Sequence, residues 1–146
     1  MFNLRYAATT LLLAGCIAAA GSTLVAAEEK GVTRSERSAN SADEAEIKRG
    51  RLLFLQCRAC HEVAAGQPHK VGPNLHGFIG QAAARADGFK YSDALSKSNL
   101  TWDAATLDRW IKHPSTVVPG TMMAYVGMAS ETDRRALIAY LESATK

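Results

Sequence analysis

Cysteine and proline are both scarce, at three and four residues in a chain of 146. Three cysteines cannot build a disulfide-dense scaffold, and two of them, Cys57 and Cys60, stand three positions apart. Neither sign of charge dominates. Seventeen Lys and Arg against fourteen Asp and Glu leave +3, too small and too dispersed for a nucleic-acid binder. No run shows sustained alternation of apolar and polar residues, so there is no strand signal, and there is no internal repeat. What remains is 47% hydrophobic and 21% charged, the balance of one ordinary globular domain. Length and hydropathy exclude a second such domain and a multi-span membrane protein.

The N-terminus is the one strongly apolar stretch. Arg5 is the only charged side chain in the first 27 residues, an apolar middle runs from Leu11-Leu12-Leu13, and the small residues Val25-Ala26-Ala27 precede Glu28-Glu29. A basic head, an apolar middle and a small-residue end describe an export signal over residues 1–27, cleaved after Ala27. Two alternatives place the rest of the chain in the same compartment. Leu13-Ala14-Gly15-Cys16 resembles a bacterial lipobox, which would put a lipid on Cys16. The run from Tyr6 to Ala27 would also span a bilayer uncleaved as a membrane anchor, since about 20 residues suffice. Each places the remainder in the bacterial periplasm, soluble or tethered to the inner membrane. Residues 28–45 hold one sizeable apolar side chain, Val32, and read as a flexible linker or tail. The folded domain is expected over residues 46–146.

Within that domain the periodicity is helical. Ile47, Gly50, Leu53 and Phe54 share one face of a helix over Glu46–Gln56, with Lys48, Arg49 and Arg51 opposite. Glycine is costly inside a helix, so Gly50 on the apolar face signals close approach by another element. Ser92 caps a short helix to Lys97. Thr101 is expected to cap the next, whose stripe of Leu107, Trp110 and Ile111 ends at His113-Pro114. Ser130 and Asp133 resemble a capping box for a last helix carrying Leu137, Ile138, Tyr140 and Leu141. The connections, 66–80 and 114–127, are long and rich in Gly and Pro, and ordered loops of that kind are usually functional. A small helical domain with so much loop needs an internal object for the loops to wrap.

Cys57-Arg58-Ala59-Cys60-His61 supplies the object. In an exported protein a Cys-x-x-Cys-His run reads as a covalent haem attachment site. Two cysteines three apart on a helical turn can each form a thioether with a vinyl group on one porphyrin edge, and the next residue then projects its imidazole to the iron. His61 is therefore the expected proximal ligand, with its other ring nitrogen donating to a backbone carbonyl. A dithiol redox module would need alternating strands and helices, and a structural zinc site further Cys or paired His. For the sixth position the residues alone leave the four methionines and His69, His76 and His113 all open.

Taken in order, Gly50 and Phe54, Cys57–His61, Gly72-Pro73-Asn74-Leu75-His76-Gly77, Gly88-Phe89-Lys90-Tyr91-Ser92-Asp93-Ala94, Trp102, Pro119-Gly120-Thr121-Met122-Met123 and Leu137-Ile138-Ala139-Tyr140-Leu141 resemble a class I c-type cytochrome. The likeness is to the mitochondrial kind and its short bacterial periplasmic relatives. It implies an all-α fold in which the N- and C-terminal helices cross and loops wrap one haem c, bound through Cys57 and Cys60. It implies Met123 as the distal ligand, a Pro73 carbonyl that fixes the His61 ring, and Tyr91 and Trp102 as hydrogen-bond donors to a haem propionate. Gln81 stands where many relatives have an arginine near a propionate, and Trp110 where many have a tyrosine.

Ligands on both faces leave no open position at the iron. The resulting expectation is an electron carrier, not an enzyme, shuttling single electrons between respiratory or photosynthetic complexes. From Glu46 onward 13 basic and 9 acidic side chains give +4. With Arg58, Lys70, Lys90 and Lys112 expected around the ring, a monomer docking on acidic surfaces of membrane redox complexes follows. The alternatives are a haem enzyme or sensor that binds a diatomic ligand or peroxide once Met123 leaves, and a fixed cytochrome subunit of an oxidase.

Overall fold

The computed structural model describes residues 34–146. The export signal or anchor and Cys16 lie outside the described residues. Six helices follow in order: α1 Arg34–Leu53, α2 Leu55–Arg58, α3 Asp93–Ser96, α4 Ala104–Lys112, α5 Pro114–Val117 and α6 Glu131–Ala144. Among the described residues the only β-pairing is an isolated antiparallel bridge between Ala82 and Thr101. The expected all-α class I architecture is the one found.

α1 and α6 cross where the sequence anticipated. Gly50 is buried, and a Cβ built on it would lie 2.6 Å from the carbonyl carbon of Ala136 and 2.7 Å from Cβ of Tyr140. Only hydrogen fits there, so the helices meet backbone to backbone. Phe54 and Tyr140 flank the crossing with ring centroids 5.4 Å apart. On its rim Arg49 Nε donates to Asp133 at 2.8 Å and Arg135 Nε to Glu46 at 2.6 Å.

α1 begins at Arg34, twelve residues before the expected Glu46, so residues 34–45 are helical where a linker without structure was expected. The turns that pack on α6 meet the cost of nucleation. Adding Ala, Glu and Arg to an existing helix then needs no burial, because these residues propagate a helix well. The described side chains of this segment up to Ala45 are exposed, and composition does not reveal that a packed helix extends through it.

Caps fix the other helices. Ser92 Oγ accepts from Leu95 N–H at 3.2 Å, as its position implied. The cap of α4 is Asp103, not Thr101: Asp103 Oδ1 accepts from Thr106 N–H at 2.7 Å. Thr101 is occupied by the bridge to Ala82, which the Trp102 N–H to Gln81 carbonyl bond extends at 2.9 Å. The α4 stripe of Leu107, Trp110 and Ile111 is buried. Pro114 ends that helix and opens α5, a short helix the sequence did not announce, using its fixed φ at the first helical position. Ser130 caps α6 by accepting from Asp133 N–H at 3.3 Å, while the Asp133 carboxylate turns to Arg49 instead of closing the box.

Inside α6 the buried Arg134 was not foreseen. Its Nε donates to Asp108 at 2.7 Å, and its Nη1 donates to the carbonyls of Met128 at 3.0 Å and Ala129 at 2.8 Å. One guanidinium thereby ties α4, α6 and the end of the long loop between α5 and α6.

Candidate haem site

The helices and loops surround a cavity of about 470 Å³, within the range usual for cofactor sites. Buried apolar residues of three helices, α3, α4 and α6, and Phe54 between α1 and α2 form its inner wall. All seven residues singled out from sequence line it: Cys57, Cys60, His61, Pro73, Tyr91, Trp102 and Met123.

The attachment motif continues the first helix. Phe54 is still helical, Arg58 N–H donates to its carbonyl at 2.9 Å, and the amides of Cys60 and His61 both donate to the Cys57 carbonyl at 3.0 Å. Cys57 and Cys60 are free and half-buried. Burial, with the neighbouring Cys60 second, pushes the Cys57 thiol up to about 11, so it is a neutral thiol at physiological pH. Among the described residues no cluster of three or more His, Cys, Asp or Glu is arranged to hold a metal ion.

His61 is aimed by its neighbours. Its Nδ1 lies 2.8 Å from the Pro73 carbonyl oxygen. A carbonyl only accepts, so the proton sits on Nδ1 and the Nε2 lone pair is left to ligate. Burial holds the imidazole below its ordinary pKa, with Lys70 adding to the shift and the Pro73 bond opposing it. A neutral imidazole whose tautomer Pro73 fixes, beside two unpaired thiols, suits a covalently held metallocofactor. Gly72 packs against that ring: a Cβ there would come within 2.8 Å of Nδ1 and 2.9 Å of Nε2.

Tyr91 Oη accepts from the Ala86 N–H at 3.2 Å, which leaves its own hydrogen available to donate. Burial raises its pKa, against the effect of that bond. Trp102 stacks edge-on to Trp110, centroids 5.3 Å apart, so the indole at position 110 fills the wall beside it. Gln81 lines the cavity, as does Arg85, a cation four positions on that the sequence reading passed over.

Two further connections were also missed. His69 Nδ1 accepts from Asn74 N–H at 3.0 Å and its Nε2 lies 2.7 Å from the Asp87 carbonyl, so this histidine joins two loops and is not a ligand candidate. The Tyr125 hydroxyl donates to Gln56 Oε1 at 3.1 Å. Asp87 and Gln56 lie too far in sequence from His69 and Tyr125 to leave a local signal. One expected docking cation is compensated. Lys70 Nζ donates to the Arg58 carbonyl at 2.9 Å and pairs with Glu62 at 2.6 Å; like Arg58, Lys90 and Lys112 it is exposed.

A cytochrome c family model matches residues 47–145. Cytochrome c of Kluyveromyces lactis is 44% identical over 100 residues, 68% of this chain and 91% of that protein. Cytochrome c2 of Rhodomicrobium vannielii is 44% identical over 93 residues, 64% of this chain and 74% of its own length. The solved structure of cytochrome cH from Methylobacterium extorquens superposes with a TM-score of 0.63 at 41% identity, covering 66% of this chain and 97% of that one. The match, the fold and the thiol pair beside His61 lead to one conclusion: the chain belongs to the cytochrome c family, class I, and is a mono-haem electron carrier, not an enzyme, with haem c held covalently through Cys57 and Cys60.

Proposed function

We propose that His61 and Met123 are the two axial ligands and that the protein shuttles single electrons between membrane redox complexes in the bacterial periplasm. The observation that carries this is the convergence of Cys57, Cys60, His61 and Met123 on one apolar cavity, with His61 Nδ1 committed to Pro73. When bound, haem c supplies a one-electron Fe(III)/Fe(II) couple. Met123 offers a soft thioether, which favours the reduced metal and raises the potential. The apolar wall acts in the same direction, because it disfavours the form with the additional positive charge. With His61 and Met123 both holding the iron, substrates would have no position to occupy and little would rearrange between oxidation states. Tyr91 has a hydroxyl hydrogen to give a propionate, Trp102 lies on the same wall, and Arg85 offers the cation that Gln81 does not.

Arg58, Lys90 and Lys112 are exposed in a domain of net +4, which supports docking of a monomer on acidic partner surfaces. On-rates should fall as salt rises, because charges at an exposed rim are screened beyond about 8 Å at physiological ionic strength. The basic head and apolar run of residues 1–27 support export, with the domain proper over 46–146. Among the described residues no helix is long and apolar enough to cross a membrane.

An absorption spectrum tests the ligand set. The oxidised holoprotein should show a weak far-red sulfur–iron band, and the reduced form should bind carbon monoxide negligibly at neutral pH. Met123→Ala should abolish the band and bind carbon monoxide readily. Rapid, complete carbon monoxide binding by the wild type would instead support a sensor or enzyme.

A further inference from the structure

The stretch from Thr121 to Met128 carries Met123 and has no regular secondary structure. Backbone bonds hold its two ends: Thr121 N–H donates to the Val118 carbonyl at 3.1 Å and Met128 N–H to the Ile111 carbonyl at 2.9 Å. Between these anchors two bonds are internal, from Met123 N–H to Thr121 Oγ1 at 3.3 Å and from Tyr125 N–H to the Met123 carbonyl at 3.0 Å. Met122 and Val126 are 57% and 87% exposed, so burial does not hold this stretch along its length.

Met123 and Tyr125 pack against the core, and among the described residues the Tyr125–Gln56 bond is the hydrogen bond that ties the middle of this loop to another element, over 69 positions of chain. Both residues line the cavity, one two positions after Met123 and the other immediately before Cys57. Gln56 is oriented for the task. Its Nε2 donates to the Leu53 carbonyl at 3.0 Å, which turns Oε1 toward the tyrosine hydroxyl.

We propose that Tyr125 and Gln56 form a latch, a positioning pair that keeps the 121–128 loop closed so that Met123 stays over the cavity. The latch rests on Met123 as distal ligand. It joins the distal loop to the attachment helix itself, so the loop and the covalently anchored edge move as one body. The bond is neutral and reachable by water, so its loss should shift the balance of open to closed loop about threefold, the low end for a hydrogen bond exchanged with solvent.

Imidazole binding to the oxidised holoprotein reads that balance, because imidazole enters where Met123 leaves. Tyr125→Phe keeps the ring and removes only the hydroxyl; Gln56→Ala removes the acceptor from the other side. Each should keep the far-red band and raise imidazole affinity about threefold, and the double variant should also stand near threefold, since both changes delete one interaction. Unchanged affinity in either single variant, or a double variant near ninefold, overturns the latch while the band upholds Met123 ligation. A wild type without that band overturns the Met123 reading and the latch with it.

Discussion

Gly50→Ala is the sharpest test of the helix crossing. On an exposed helix the change would stabilise by about 1 kcal/mol, the propensity difference between the two residues. Here the added methyl would sit 2.6 Å from the Ala136 carbonyl carbon and 2.7 Å from Tyr140 Cβ. Carbon atoms pack best at about 3.5–4.0 Å, so α1 and α6 must separate by about 1 Å, and a gap of that size forfeits up to about half of each contact along the seam. No rotamer change relieves a clash with backbone. Overpacking of this kind costs about 1–3 kcal/mol, and a backbone partner argues for the upper end. Subtracting the propensity gain leaves a net loss of about 2 kcal/mol. The Arg49–Asp133 and Arg135–Glu46 pairs cannot compensate, because exposed ion pairs contribute little. For a domain of this size the melting temperature should fall by about 10 °C. Thermal unfolding of the holoprotein by far-ultraviolet circular dichroism reads this, with Ser41→Ala on the exposed part of α1 as a control expected to stay within about 0.5 kcal/mol of wild type. A Gly50→Ala protein as stable as wild type, or more so, would refute the claim of a backbone-to-backbone crossing.

Arg134→Met should cost about 2 kcal/mol in guanidinium unfolding, because it strands the Met128 and Ala129 carbonyls while Asp108, 40% exposed, is rehydrated; a loss under about 1 kcal/mol would mean water replaces the guanidinium there too. His69→Leu should cost about 2 kcal/mol by removing the bonds to Asn74 and Asp87, and amide exchange should quicken in both loops and not in α6. The Thr106 N–H beside Asp103 holds its carboxyl below the usual range, so its folded pKa is lower than its unfolded one. The stabilisation is therefore complete above about pH 4 and fades as pH falls through the folded pKa. Asp103→Asn should flatten the acid limb of melting temperature against pH, and an unaltered acid limb would remove Asp103 from the account.

The parts of this molecule that were legible in sequence are those whose cause is local. Cys57, Cys60 and His61 sit within one helical turn, so their spacing alone carries the chemistry. Ser92 and Ser130 cap the amides three residues on, and Gly50 betrays a close neighbour, though not which one, because a glycine on an apolar helix face has few other reasons to be there. Even local rules fail where two residues compete. Thr101 and Asp103 are both plausible caps, and the choice was made by the bridge to Ala82, which no window around position 101 reveals.

The illegible parts depend on what the fold brings together. Arg134 is a polar residue within an apolar stripe, and only the arrival of Asp108 and two loop carbonyls makes it a core residue. Lys70 reads as a free cation, and only the fold brings the Glu62 carboxylate to 2.6 Å from it. The same holds at the site. Position 123 was identified through resemblance, whereas the bond that ties its loop down joins residues 69 apart and belongs to no motif. A pattern shared by a family specifies which atoms a cofactor meets. How firmly those atoms are held depends on pairs such as Tyr125 and Gln56, which only the folded chain brings together.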